Sequence, residues 1–135
     1  YLYIINFTPD REPMGDLLAL TKGSLDFDAL AKNTRLTYAD VDAGPTKAFM
    51  VLNRDKPEFK TQWDLGFGPR PAEELYELKS DSHQIKNLAG DAEYHEIRAV
   101  LRAKLMAELT KHNDPRLNGN QFDYPPYCKE GLEKK

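Results

Sequence analysis

The residues of this chain that most readily do chemistry, its cysteine and its histidines, are few and widely spaced. Cys128 is the one cysteine, which excludes an internal disulfide bond and a cysteine-based metal cluster. His95 and His112 fall on one predicted helix but lie about five turns apart, so they cannot bind the same metal ion. His83 falls in a polar turn, where exposure to solvent is expected. These residues predict neither a metal site nor a nucleophile.

The acidic residues give no stronger signal for catalysis. Asp40 and Asp42 alternate along the chain without the acidic neighbours that would complete a calcium site, so a solvated loop is the better interpretation. The sequence also contains no Ser-His-Asp set, no glycine-rich phosphate loop and no paired carboxylate motif. We therefore expect no bond-breaking centre within these residues.

Basic and aromatic side chains near irregular segments are the remaining candidates for binding. Trp63 has a ring that can stack on a sugar, but a lone tryptophan is more often an anchor of the core. An alternative function, a stand-alone carbohydrate-binding or interaction module, would use Trp63, Tyr124 and Tyr127 as its platform. Four cations have the chemistry to bind sulfate or carboxylate groups, although each by itself is more often a plain surface charge: Arg11, Arg35, Lys60 and Arg70.

Two strands and a helix are expected to form the frame that positions these side chains. Residues Tyr1–Phe7 are apolar at nearly every position and predict a strand that needs a partner along its edge, in this chain or in a second copy of it. A short apolar run at residues 75–78 predicts a second strand. After Asp91, a good N-cap, a helical pattern runs to about Asn113. Its apolar face is expected to pack on the sheet as the main core and comprises Tyr94, Ile97, Val100, Leu101, Leu105 and Leu109.

The part of the chain between the two strands has weaker patterns. Residues 8–43 leave two interpretations open: packing against another domain, or a loosely ordered surface excursion with short helical turns. Pro45 then opens a short helix, on which Ala48, Val51 and Leu52 share one face. We therefore predict an α+β fold, in which a small antiparallel β-sheet packs against a long C-terminal α-helix, with a long irregular segment and a short helix inserted.

Length and composition limit the class of protein. At 135 residues with 40% hydrophobic content, the chain can bury a core, and residues 1–135 are most simply one domain. The net charge of -3 argues against nucleic acid or an acidic membrane as a partner. No apolar run approaches the length of a membrane span. Because the chain begins with Tyr1 inside a predicted strand, we expect it to be a fragment of a longer polypeptide.

The residues from the second predicted strand to the long helix resemble a segment of type I sulfatases, nearest to the heparan N-sulfatase-like (sulfamidase-like) members. The similarity consists of Glu-Leu-Tyr-Glu-Leu at 74–78, Asp81, Asn-Leu-Ala at 87–89, Asp91 and Tyr94. Residues 1–7, 44–49, 53–55 and 114–117 also resemble sulfatase segments, in the same order along the chain. Glu77, Ser82 and Ala92 differ from the residues usual at their positions in that family.

This resemblance implies that the chain is the C-terminal domain of a sulfatase whose catalytic α/β domain precedes it. Such enzymes use a calcium ion and a formylglycine made from Cys or Ser in a C/S-x-P/A-x-R motif. This motif is absent here, since Cys128 lacks the required neighbours. The implied partners are the catalytic domain, which the chain supports, and a sulfated glycan, for which it forms part of the pocket rim. A strand upstream of Tyr1 is also implied, and for a bacterial sulfatase the implied location is periplasmic or extracellular.

Overall fold

A computed structural model of the chain describes residues 1–9, 13–15 and 25–119. It contains two antiparallel strands, β1 (Leu2–Ile5) and β2 (Glu73–Tyr76), and four α-helices, α1 (Phe27–Lys32), α2 (Pro45–Leu52), α3 (Lys60–Gly66) and α4 (His95–Lys111). Short 3-10 helices lie at Thr34–Leu36, Pro57–Phe59, Ala92–Tyr94 and Pro115–Asn118. The predicted α+β class, with a small antiparallel sheet and a long helix, is confirmed. Within the described ranges, every helix is too short or too polar to span a membrane.

The described residues form two compact units. The sheet unit comprises Tyr1–Phe7 and the described part of Glu73–Lys135, and it holds both strands and α4. The helical unit comprises the described part of Thr8–Ala72, and it holds α1, α2 and α3. Along the sequence, the helical unit is therefore an insertion between two paired strands.

The sheet unit is built on the pairing of β1 with β2. The antiparallel register aligns Tyr3 with Leu75. The strand predicted within Tyr1–Phe7 is therefore present, and along one edge its partner is another strand of the same chain. That its outer edge also has a partner stays a prediction. Because side chains alternate across a strand, Tyr3 and Leu75 share one face of the sheet, and Ile97 and Leu101 of α4 pack on that face.

The edge of β2 that faces away from β1 is closed by the segment that follows the strand. The side chain of Asn87 accepts a hydrogen bond from the Leu75 amide (2.9 Å) and donates one to the Glu73 carbonyl (3.1 Å). The Leu88 amide donates to the Leu75 carbonyl (2.8 Å). These bonds protect an edge that would otherwise be open to non-specific pairing. Since Leu75 uses both backbone groups on this side, the opposing Tyr3 directs its own amide and carbonyl away from β2.

The long helix begins where the sequence predicts. The Asp91 side chain accepts a hydrogen bond from a first-turn amide (3.0 Å) and caps the 3-10 turn Ala92–Tyr94, which leads into α4. Ile97 and Leu101 pack on the sheet as expected. The inclusion of Val100 in the buried stripe is wrong, because this side chain is 53% exposed. No residue of α4 is fully buried, so the helix covers the sheet with a narrow apolar edge.

The helical unit has a buried cluster of its own. The helix predicted to begin at Pro45 is confirmed as α2. Two of its three predicted core residues are buried, but the inclusion of Leu52 is wrong, because its side chain is 41% exposed. Residues from all three helices and from the segment after α1 contribute to the cluster, which consists of Leu30, Tyr38, Ala48, Val51 and Phe67 with half-buried neighbours such as Trp63.

For residues 25–43, the structure decides against one of the two interpretations of the irregular segment 8–43. The loosely ordered surface excursion is wrong for this part of the chain, although the short helical turns are present, because Leu30 and Tyr38 are buried. Asp26 caps α1 by accepting a hydrogen bond from the Ala29 amide (2.7 Å). After six residues the helix gives way to a 3-10 turn, so the apolar spacing fits no single helical face. Residues 10–12 and 16–24 lie outside the described residues.

Candidate functional site

Four of the five binding residues nominated by the sequence lie in the helical unit. Lys60 begins α3, Trp63 lies one turn later, and Arg70 follows the end of that helix. Arg35 lies in the 3-10 turn Thr34–Leu36. The fifth residue, Arg11, lies outside the described residues. The four described candidates thus come from two segments of one unit.

The ring of Trp63 packs against aromatic neighbours within the helical unit. It stacks on Phe67, with 4.5 Å between ring centroids and 4° between planes. It also meets Tyr38 edge to face at 5.5 Å. Because Phe67 covers one face of the indole, only the other face is left for stacking on a sugar, and the geometry favours the core-anchor interpretation.

Two of the three described candidate cations already have partners inside the chain. Lys60 Nζ lies 2.6 Å from Asp64 Oδ2 in an exposed ion pair on α3, which contributes little to stability. Arg70 Nη2 donates a hydrogen bond to the Leu65 carbonyl (2.7 Å). The guanidinium of Arg35 is exposed and has no hydrogen-bond or ion-pair partner among the described residues. Among the three candidate cations that the structure describes, Arg35 is therefore the most accessible to an anionic ligand.

The helical unit also contains a buried cation that the sequence analysis did not single out. Lys47, in the first turn of α2, is 3% exposed. Burial lowers the pKa of its amine, and the nearby Asp42 carboxylate partly offsets that effect. Its Nζ donates hydrogen bonds to three backbone carbonyls, those of Thr34 (2.9 Å), Tyr38 (3.1 Å) and Val41 (2.8 Å). All three protons of the ammonium group are thus satisfied.

A second charged cluster, in the sheet unit, joins the sheet to α4. The Glu73 carboxylate accepts hydrogen bonds from the Tyr3 hydroxyl (2.6 Å) and from Arg102 Nε (2.9 Å). Arg98 Nη1 lies 3.6 Å from the same carboxylate. Two arginines one turn apart on α4 therefore meet one half-buried acid on β2. With both oxygens engaged, Glu73 acts as a structural clamp and not as a free acid.

Because Tyr3 is part of this clamp, the free energy of unfolding is expected to depend on pH at high pH. Burial, followed by the hydrogen bond to Glu73, raises the pKa of Tyr3 to about 12. In an unfolded chain a tyrosine ionises near a pKa of about 10. The unfolded state loses this proton first, so the free energy of unfolding is expected to fall as the pH rises from about 10 to about 12. Urea denaturation at successive pH values across this window measures the fall.

The matched control for this prediction is Tyr3→Phe. The variant has no phenolic proton at this position, so its stability is expected to decline less over the same pH window. Equal declines in the two proteins would show that Tyr3 titrates normally in the folded state.

In the described part of the chain, the other residues that could bind a metal ion or take part in catalysis do not form a common site. Within residues 1–9, 13–15 and 25–119, no group of three or more His, Cys, Asp or Glu side chains is placed to hold a metal ion. Cys128, Tyr124 and Tyr127 lie outside the described residues. All three histidines and both aspartates considered above are exposed, namely His83, His95, His112, Asp40 and Asp42.

None of the family models, curated proteins and solved structures compared with this chain matches it. The residues between positions 74 and 91 that resemble a sulfatase segment lie in the sheet unit, and several of them hold it together. Leu75 and Leu88 belong to its buried cluster. Asp81 accepts hydrogen bonds from two amides of the following turn (3.0 and 2.8 Å). With Asn87 on the edge of β2 and Asp91 at the start of the helical segment, these residues shape the whole unit.

Proposed function

We propose that this chain is the C-terminal part of a type I sulfatase of the heparan N-sulfatase-like kind. In this proposal it supports the catalytic domain and forms part of the rim of a pocket for sulfated glycans, and it supplies no catalytic group. The enzyme would hydrolyse sulfate esters or N-sulfates, with the formylglycine and the calcium ion held by the preceding domain. The observation that carries the proposal is that the residues of the resemblance between positions 74 and 91 are among those on which the sheet unit is built.

Each of these residues occupies a position that demands its chemical type. The edge of β2 needs a side chain that both accepts and donates hydrogen bonds, and Asn87 does both. The turn after β2 and the start of the helical segment need acceptors for free amides, which Asp81 and Asp91 supply. The core needs apolar groups, and Leu75 is fully buried. A chain with the fold of that family would need this combination of residues, and this is the support that the structure gives to the proposal.

An apolar surface on the helical unit supports the role of a structural partner. Phe49 and Leu52 on α2 are 43% and 41% exposed and are not part of the buried cluster. The ring of Phe59 meets Phe49 edge to face at 5.0 Å and extends this surface. Exposed groups of large apolar side chains are typical of surfaces that pack against another protein. In the proposed function, the catalytic domain is the partner.

The outer edge of β1 supports the expected upstream strand. The backbone amide and carbonyl of Tyr3 are directed away from β2 and have no partner among the described residues. No charged residue or proline within Leu2–Ile5 blocks this edge. The strand implied by the resemblance would satisfy these backbone groups.

The pocket-rim role is assigned first to Arg35. A guanidinium presents paired donors that match the oxygens of a sulfate group, and this one has no competing acceptor in the described part of the chain. Lys60 and Arg70 would first have to exchange the acceptors that they already hold. Trp63 is available to a sugar on one face of its ring only.

The proposed function predicts that the chain alone is catalytically inactive. An assay of the purified chain with an aryl sulfate is expected to show no turnover, because the formylglycine motif is absent from it. Sequencing of the gene upstream of Tyr1 is expected to reveal a C/S-x-P/A-x-R motif. Turnover that survives stringent purification, or an upstream sequence that lacks the motif, would contradict the proposal.

Titration of the chain with heparin-type oligosaccharides separates a supporting domain from a stand-alone binding module. The supporting role predicts no saturable binding by the isolated chain, for the parent and for Arg35→Ala alike. Tight binding by the isolated chain would instead favour a stand-alone carbohydrate-binding module. Loss of that binding in Arg35→Ala but not in the exposed control Lys56→Ala would place Arg35 in the module's binding site.

A further inference from the structure

The environment of Lys47 is unusual for a buried cation. The amine forms no hydrogen bond to a carboxylate, and its three acceptors are neutral carbonyl oxygens. Lys47 also lies in the first turn of α2, where the partial positive charge of the helix disfavours a cation. A charge removed from water in such a place must be stabilised by its hydrogen bonds. The three carbonyls therefore replace the water molecules that an exposed ammonium would bind.

The three acceptors come from one short stretch of chain. Thr34, Tyr38 and Val41 span eight residues that contain a 3-10 turn and no other regular element. Other hydrogen bonds also hold this stretch, and they include the Val41 amide to the Tyr38 carbonyl (3.0 Å), the Asp40 amide to the Met14 carbonyl (3.3 Å) and the Ala43 amide to Thr34 Oγ1 (3.0 Å). A single cation that contacts the beginning, middle and end of the stretch joins these three points, beside the core contacts of Tyr38.

We propose that the carbonyls of Thr34, Tyr38 and Val41 form a binding site for a primary ammonium group, and that Lys47 fills this site from within the chain. The occupied site fixes the conformation of residues 34–41, as a bound metal ion would fix a loop. This role excludes Lys47 as a nucleophile in the folded state, because its three protons are bound and its side chain is buried. The inference is independent of the proposed function.

Hydrogen exchange of the full chain tests the first part of the proposal through Lys47→Met. Methionine keeps most of the apolar stem and removes the charge, so three carbonyls lose their donor. Exchange of the Val41 and Ala43 amides is expected to accelerate at least about tenfold, the effect of losing one charged hydrogen bond. The Leu88 amide of the sheet unit serves as the internal reference, and Lys56→Met, at an exposed position, is the matched control.

Chemical rescue of Lys47→Ala tests the specificity of the site for an ammonium group. The alanine side chain leaves a channel of the length of n-propylammonium. This cation is expected to restore protection of the Val41 and Ala43 amides, whereas 1-propanol, which has the same shape without the charge, is not. Lys47→Met is expected to gain no protection from the cation, because its side chain already fills the channel.

The outcomes separate charge from packing. Rescue by n-propylammonium alone supports the proposal, including the case in which Lys47→Met loses protection throughout the chain. Equal rescue by 1-propanol would show that Lys47 acts only by filling space and would overturn the proposal. Failure of both additives, or exchange in Lys47→Met at the rate of the parent, would also overturn it.

Discussion

Replacing Leu75 with alanine is expected to lower the free energy of unfolding by about 2 to 5 kcal/mol, the largest effect expected in the sheet unit. Leu75 is fully buried and lies in one cluster with Leu88 and Ala89, packed against side chains of α4. Truncation removes apolar contacts and leaves a cavity where the sheet, the segment after β2 and the helix meet. Urea denaturation followed by circular dichroism measures the loss.

Two positions on α4 are the controls for Leu75→Ala. Val100→Ala removes an exposed side chain, so the free energy of unfolding should change by no more than about 0.5 kcal/mol. Leu101→Ala removes a half-buried side chain and should have an intermediate effect. If Leu101→Ala were as costly as Leu75→Ala, the helix would be buried more deeply than the structure describes.

Replacing Leu30 with alanine is expected to be about as destabilising in the helical unit, again by about 2 to 5 kcal/mol. Leu30 is fully buried in the cluster that also contains Val51 of α2. The effect distinguishes a packed segment from a loosely ordered one, because a side chain on a loose surface excursion contributes little to stability. Protection of amides within α2 against hydrogen exchange should fall together with the measured stability.

The control for Leu30→Ala lies on the same short helix. Phe27 is 45% exposed, so Phe27→Ala should have a much smaller effect although it removes a larger side chain. A greater loss for Phe27→Ala than for Leu30→Ala would mean that the buried and exposed faces of α1 are assigned the wrong way round.

The sulfatase resemblance and the structure bear on different properties of the same residues. The resemblance concerns the order of residue types along the chain, and the structure gives each of them a mechanical role in the sheet unit. Asn87, for example, holds the edge of β2 through its side-chain amide. Residues with such structural roles carry no information on a substrate, because a fold can be kept while the pocket changes. Substrate binding must be tested separately, beginning with Arg35.

Local signals in the sequence were sufficient for the regular elements with strong patterns. The apolar run within Tyr1–Phe7 predicted β1, Pro45 marked the start of α2, and Asp91 marked the turn that leads into α4. Each signal acts within one or two turns of the chain, where backbone geometry and capping decide the outcome. Periodicity alone assigned Val100 and Leu52 to buried faces, which was wrong because each helix buries a narrower face than its apolar pattern suggests.

The hydrogen-bond partners of Lys47 are a feature that the sequence pattern does not indicate. Its position four residues before Val51 places its stem on the buried face of α2, a signal that helical spacing contains. Nothing in that spacing reveals the three carbonyls that receive its charge, because they belong to a segment with no regular pattern. A lysine is assigned to the surface by default, and only the folded chain gives this one a reason to be buried.

The sequence by itself determined the class of the fold, the two strands, the helices α2 and α4, and the Asp91 cap of the turn that leads into α4. The tertiary structure alone decided which side chains meet: Glu73 contacts Tyr3 across 70 positions of sequence and Arg102 across 29. The physical reason is the distance along the sequence over which each kind of interaction acts. Hydrogen bonds within a turn and the repeat of a helix or strand involve near neighbours in sequence, whereas burial, ion pairing and the availability of Arg35 depend on residues that only folding brings close or leaves apart.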